Sequence, residues 1–211
     1  MKVLSIETTS EVCSVALLED DKICSEHRFQ TSDAARRLIS SIDILLKENN
    51  VKPSELELLV VSYGPGQWTG VRLGMGAAKG IAAGTEAKIF CVGAMDSIFF
   101  GIREFKMPAF CIINAYREEV YLSSFNGRFA YKRNYPIKRI KFEELDRLCG
   151  EKNVLLTGSG IFSIPDKIKK CKSVNVVERY SSPSAGINGL LAIEKIRRGV
   201  PSAPLKPFYG R

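Results

Sequence analysis

An apolar run followed directly by a glycine-rich turn constrains this chain more than any other feature. Leu56–Tyr63 (LELLVVSY) is apolar nearly throughout, as a strand covered on both faces has to be. Gly64–Gly74 (GPGQWTGVRLG) comes straight after it. Gly64, Gly66 and Gly70 permit positive φ angles and the close approach of another chain or a phosphate. A helix beginning near Thr69 aims its unbonded N–H groups into that turn, which suits an anion beside Thr69 and Arg72. Two familiar phosphate motifs are excluded. A Walker A loop ends in Gly-Lys-Ser/Thr, whereas Gly70 is followed by Val71 and Arg72. A dinucleotide fingerprint spaces its last glycine one residue earlier than Gly70. The loop is either an anion cradle or a structural turn, and the glycines alone do not choose.

The surrounding pattern is α/β. Met1–Glu7 and Val12–Leu18 are strand-like apolar runs, and Lys22–Phe29 follows the turn at Glu19-Asp20-Asp21, giving a three-strand meander. Ser32 as N-cap predicts a helix over Asp33–Asn49 with Leu38, Ile42, Leu45 and Leu46 on one stripe. The helix after the glycine loop runs to about Ala83, Lys88–Val92 reads as a further buried strand, and Ala94–Phe105 as a helix. A boundary near Phe105–Pro108 divides the chain into 1–105 and 106–211. Beyond it, Ala109–Asn114 and Glu119–Phe125 read as strands, with Asn126-Gly127 a hairpin turn. Val154–Thr157 is a short strand and Ser184–Arg198 an amphipathic helix. The tail, with Pro201, Pro204 and Pro207, is expected along the surface. No internal repeat is visible.

Gly70, Gly74, Gly76 and Gly80 alternate with Ala77, Ala78, Ala82 and Ala83 in the helix behind the loop. Each interior helical glycine costs about 0.5–1 kcal/mol relative to alanine. Close packing has to offset that, against the chain's own sheet or against a partner's helix. At the end of the first strand, Glu7-Thr8-Thr9-Ser10 places a carboxylate and three hydroxyls at a tight turn, read either as a phosphate grip or as a polar corner.

Catalytic chemistry finds little material. His27 is the one histidine of the chain, and it sits among polar neighbours, where a solvated side chain fits better than a base. The six cysteines are scattered, with no CxxC pair and no metal-ligand spacing. No GxSxG elbow is present. Cysteines such as Cys13 and Cys91 lie in apolar runs, as buried thiols of a reducing compartment do. With no signal-peptide pattern and no apolar run near the ~20 residues of a membrane span, a cytoplasmic protein is expected. The net charge of +8 over 211 residues is compatible with RNA, an acidic partner or mere solubility.

Taken together, VLSIETTSEVCSVALL, SYGPGQWTGVRLGMGAAKGIA, INAYREEVY and APLKPFYGR resemble the TsaB (YeaZ) family along essentially the whole chain. That family usually shows Ser-Phe where Gln67 and Trp68 stand, aspartate at Glu7 and Asp-Ala-Arg at Asn114-Ala115-Tyr116, and a histidine common ahead of its first long helix is replaced by Ala34. The resemblance implies an actin-like (ribonuclease H-like, ASKHA) fold with a complete N-terminal subdomain and a reduced C-terminal one. It implies a non-catalytic scaffold rather than an enzyme: Ala94 and Ile98 stand where the TsaD paralogue carries its metal-binding His pair, so no metal is expected. It further implies a four-helix interface with a TsaD-like paralogue. On Asp33–Asn49 that interface falls on Leu38, Ile42, Leu45 and Leu46; on the glycine helix it falls on Gly70, Leu73, Gly74, Ala77, Ala78 and Ile81. The complex forms N6-threonylcarbamoyladenosine at position 37 of tRNA and is reset by a TsaE-like ATPase. A homodimer of the lone chain, and ATP or ADP at the interface, are left open; Glu7, Thr8, Thr9, Ser10, Gly64, Gly66, Thr69 and Arg72 are the residues that would meet such an anion. The alternative reading is a glycoprotease-like peptidase, which would have to recruit His27.

Overall fold

The computed structural model describes residues 1–126 and 136–208; the expected turn at Asn126-Gly127 reaches outside them. Among the described residues, ten strands and six α-helices follow one another. The first half holds β1 (Lys2–Glu7), β2 (Val12–Glu19), β3 (Lys22–Gln30), α1 (Ala34–Glu48), β4 (Leu58–Ser62), α2 (Trp68–Ala83), β5 (Lys88–Val92) and α3 (Ala94–Gly101). The second holds β6 (Ala109–Tyr116), β7 (Glu119–Phe125), β8 (Lys138–Lys141), α4 (Phe142–Glu151), β9 (Val154–Thr157), α5 (Asp166–Lys169), β10 (Val174–Val176) and α6 (Ala185–Arg197). They form two compact units, residues 1–97 with 183–208, and residues 98–182.

In the first unit the strand order is β3-β2-β1-β4-β5. β1, β2 and β3 are an antiparallel meander, and β4 and β5 extend it parallel to β1. Alternation along the strands sends Leu4, Ile6, Val15, Leu59 and Val61 to one face, under Leu38, Ile42 and Leu45 of α1 and Val71 and Met75 of α2. The opposite face is covered by α6, which crosses all five strands. Ser184 caps α6, its hydroxyl accepting from the Ile187 N–H. Beyond α6 the chain straps back over the unit: the Cys91 N–H donates to Ser202 Oγ at 2.9 Å, and the Phe208 N–H to the Tyr63 carbonyl at 2.9 Å.

The second unit repeats that order. Its sheet runs β10-β9-β6-β7-β8, a β6-β7-β8 meander extended by two strands parallel to β6. Ile112, Val120, Ile140, Leu145, Leu156 and Ile168 form its core with α4 and α5. On the other side of β7, Phe125 stacks on Phe99 with ring centroids 4.2 Å apart. The reduction relative to the first unit lies in the helices, since both sheets have five strands. Sequence reading missed this structural repeat because the two copies share an order of strands and not a residue pattern.

Several expectations change. Ser32 does not cap α1: a 3-10 turn over Thr31–Asp33 precedes it, and Asp33 at the cap position makes an ion pair with Arg36 instead. α3 stops at Gly101, where the Arg103 guanidinium takes the Phe100 carbonyl at 2.6 Å, and a 3-10 turn covers Arg103–Phe105. β8, α4, α5 and β10 were not anticipated. The expected division at 1–105 and 106–211 differs from the units observed, because α6 returns to the first sheet. Nor is α6 one-sided: Ala185, Gly186, Asn188, Gly189, Leu191, Ala192, Ile193 and Lys195 are all buried. Cys24 is exposed and Cys171 half-buried, the other four cysteines being buried as expected. No helix among the described residues is long and apolar enough to cross a membrane.

The ion pair of Lys195 with Asp96, 3.3 Å apart and nearly inaccessible to solvent, ties α6 to the start of α3. Removing one member takes an opposite charge away from the other in the interior. Lys195→Met is expected to lower unfolding free energy by about 3–5 kcal/mol, read as a shift of the urea midpoint, with Asp96→Asn in the same chain recovering part of the loss.

Candidate functional site

The glycine loop and the β1–β2 turn are one structure. β4 delivers the chain to Gly64, whose φ of +98° is open to glycine and strained for other residues. The loop then closes on Thr8 and Thr9. A Cβ at Gly66 would stand 2.2 Å from the Thr9 carbonyl oxygen; one at Gly70, 1.9 Å from that of Thr8; one at Gly74, 2.4 Å from Thr8 Oγ1. Thr8 Oγ1 donates to the Gly70 carbonyl at 2.7 Å, and the Gln67 N–H donates to the Thr9 carbonyl at 2.8 Å. Carbonyl oxygens of the chain's own turn therefore occupy the space that the missing side chains leave open.

Glu7 sits beneath that turn, fully buried. Its Oε1 accepts from the Thr9 N–H at 2.6 Å and from Thr9 Oγ1 at 2.5 Å, and its Oε2 accepts from Asn188 Nδ2 of α6 at 2.8 Å. Burial pushes the Glu7 carboxyl above the usual carboxylate range, against the pull of hydrogen bonds from Thr9, Asn188 and Ser62. Asn188 Oδ1 has no partner among the described residues. The carboxylate thus fastens the β1–β2 turn from below and α6 from the side.

The residues proposed for an anion are dispersed by this arrangement. Glu7, Thr8 and Thr9 are internal, and the Ser10 hydroxyl donates to the Val12 carbonyl at 2.9 Å. Thr69 and Arg72 point outward, the Arg72 guanidinium lying 5.8 Å from the centroid of the exposed Trp68 ring. Gln67 Oε1 accepts from Thr31 Oγ1 at 3.2 Å. In the second unit Asn114 Oδ1 accepts from the Tyr116 N–H at 2.9 Å, a bond that an aspartate could make equally. It secures a turn in which Tyr116, Arg117 and Glu118 all have positive φ.

The residues expected at a partner interface lie mostly in the core of the chain's own first unit. Leu38, Ile42, Leu45 and Leu46 are buried in the core under the sheet, and Gly70, Gly74 and Ala78 are buried as well. Leu73, Ala77 and Ile81 are half-buried against the same core. A period-3.6 stripe marks the buried face of a helix, and the packing of α1 and α2 on the sheet takes that face. What the two helices leave outside is different: Ile39 at 59% and Ile44 at 48% exposure on α1, and Gly76 and Gly80 on α2, where an added Cβ would meet nothing within 4 Å.

His27 is half-buried, its Nε2 2.8 Å from Glu48 Oε2, a contact that links β3 to α1. Sequence reasoning missed Asn188, Asp96 and Lys195. The legible signal was a polar Asn and a Lys inside the small-residue helix SAGINGLLAIEK, too apolar overall to have a solvent face for both.

Two five-stranded sheets of one strand order, the first with its glycine turn pressed on the hairpin that leaves the central strand, define an actin-like, ribonuclease H-like α/β protein. YeaZ from Pseudomonas aeruginosa has this fold, with a TM-score of 0.79 at 21% identity over 99% of both chains. Residues 31–155 match the family model for TsaD, tRNA N6-adenosine threonylcarbamoyltransferase. TsaB, the tRNA threonylcarbamoyladenosine biosynthesis protein, of Bacillus subtilis (strain 168) is 27% identical over 157 residues, 74% of this chain and 63% of that protein's length. TsaB of Escherichia coli (strain K12) is 26% identical over 174 residues, 79% of this chain and 74% of that one. The chain belongs to this family, on its TsaB (YeaZ) branch.

Two tests follow from the geometry. Gly70→Ala drives a Cβ into a backbone oxygen and is expected to unfold the chain or lower its thermal midpoint steeply. Gly76→Ala, in open space, is expected to stabilise by about 0.5–1 kcal/mol. The second concerns pH. Because the Glu7 carboxyl titrates higher folded than unfolded, the fold is weakened as pH rises from the unfolded value of 4.5 through the folded one. In Glu7→Gln, a flip of Asn188 would let its Oδ1 accept from the new amide. Glu7→Gln is therefore expected to gain on the wild type as pH rises above 4.5, in urea midpoints taken at increasing pH; parallel pH profiles would refute the assignment.

Proposed function

We propose that the chain is a non-catalytic subunit that binds a TsaD-like threonylcarbamoyltransferase through the outer face of α1 and α2 and supports N6-threonylcarbamoyladenosine formation at position 37 of tRNA. The observation that carries this is the pair Gly76 and Gly80. One helical turn apart, they have no internal neighbour that a side chain would strike, yet each weakens α2 by about 0.5–1 kcal/mol relative to alanine. A partner's helix approaching closely gives that cost a use, with the exposed Ile39 and Ile44 as apolar area on the adjoining helix.

A non-catalytic role is supported by Ala94 and Ile98, both apolar and buried where the catalytic paralogue is expected to carry its His pair. Seating of the Thr8 and Thr9 carbonyls on Gly70 and Gly66 supports a glycine loop that acts as a turn ahead of the interface helix and not as this chain's own nucleotide cradle. In this reading a TsaE-like ATPase is met through the complex.

Co-expression with the TsaD-like protein of the same organism tests the proposal. The wild-type chain is expected to co-purify with it and to restore tRNA modification, and to form no threonylcarbamoyladenosine alone. Gly80→Arg, projecting from an open position, is expected to keep the wild-type thermal midpoint within a few degrees while losing at least tenfold in partner capture. A wild-type chain that fails to capture the partner overturns the proposal.

A further inference from the structure

The charge of the chain is divided between its units. Residues 1–97 and 183–208 carry 14 Lys and Arg against 14 Asp and Glu, net zero. Residues 98–182 carry 16 against 9, net +7. Nearly all of the +8 therefore belongs to the second unit.

Within it the excess is concentrated. From Val120 to Phe142 there are six basic residues, Arg128, Lys132, Arg133, Lys138, Arg139 and Lys141, and no acidic one. The first three lie outside the described residues; the last three form β8 (KRIK). β8 pairs with β7 alone, so its other side is a sheet edge among the described residues. Ile140 turns into the core, and Lys138, Arg139 and Lys141 are exposed. Arg139 bridges to Glu119. Neither Lys138 nor Lys141 makes an ion pair with another described residue.

A lysine-bearing edge has an ordinary use, in that charge discourages pairing with other strands. That use accepts either sign. Of the two outer strands of the first sheet, β3 mixes signs with Lys22, Glu26 and Arg28, and β5 carries Lys88 alone. β8 carries one sign only, and Glu118, Glu119, Glu143 and Glu144 bound it at the Lys141 end, leaving the excess toward Lys138. With Ile140 turned inward, Lys138 shares its face and Arg139 and Lys141 lie on the other, so cations flank both faces of this edge, a distribution complementary to a sugar–phosphate backbone.

We propose that the β8 edge of the second unit binds the phosphate backbone of an RNA, the tRNA being modified, so that this subunit contacts the substrate directly. The proposal rests on the function proposed above for the identity of the RNA. The contact is electrostatic and positions the RNA without reading bases, because lysines at an edge strand meet phosphates as point charges.

The test uses the full chain and an unmodified tRNA transcript with adenosine at position 37, with fluorescence anisotropy followed as salt is raised. Lys138→Gln with Lys141→Gln is compared with the wild type and with Lys22→Gln plus Lys88→Gln, two exposed lysines on the edge strands of the neutral unit. Capture of the TsaD-like protein is measured in parallel on every variant. The β8 variant is expected to bind tRNA at least tenfold more weakly and to lower the slope of log Kd against log salt by about 1.4–1.8, while capturing the TsaD-like protein as the wild type does and melting at the same temperature. Unchanged affinity and slope overturn the proposal, as does an equal loss in the Lys22 and Lys88 variant. Loss of partner capture with tRNA binding intact also overturns it, in favour of an acidic protein surface. Failure of the wild type to capture the partner, with the β8-dependent tRNA binding retained, overturns the subunit reading and leaves the RNA site standing.

Discussion

The contact on which the first unit depends is between backbone and backbone: the Thr8 and Thr9 carbonyls against Gly66 and Gly70. No side chain larger than hydrogen fits at either glycine, so the turn that leaves β1 and the helix that follows β4 are locked to one another at a single distance. Glu7 holds the same turn from within and reaches Asn188 of α6. Both faces of the central sheet are thus referenced to one corner of four residues. Burying a carboxylate there opposes folding, and the hydrogen bonds from Thr9 and Asn188 offset that in part. A corner that is this constrained fixes where α2 starts, and hence which residues of α2 look outward.

Much of the first unit was legible because its signals are local. The meander, the buried strands at 58–62 and 88–92, and the glycine turn each follow from apolar runs bounded by turn residues. The stripes chosen for an interface are core for a physical reason: apolar periodicity reports the face that a helix buries first, and α1 and α2 bury it against their own sheet. Gly76 and Gly80 were legible as costs but not as open positions, since that requires knowing what lies beside them. The polar corner beneath the loop depends on Asn188, which is 181 residues from Glu7. No window on the sequence joins the two. The second unit was read only in part because its strands are short and its helix α5 has four residues, too few for a periodicity to declare itself.

A whole-chain charge of +8 was uninformative as a sum and informative as a distribution. A neutral unit that carries the small-residue helix and a basic unit that carries the one-sign edge are suited to different neighbours. Protein–protein packing favours depletion of charge; contact with phosphate favours an excess of one sign.

The first sheet is complete at Val92, whereas the helix that covers its second face begins at Ala185. During synthesis the entire second unit has to leave the ribosome before α6 exists to close that face. Until then Glu7, Ser14 and the small apolar residues around them face whatever the cell supplies, water or a holding chaperone. The order of the gene therefore makes the first unit to be translated the last to be finished.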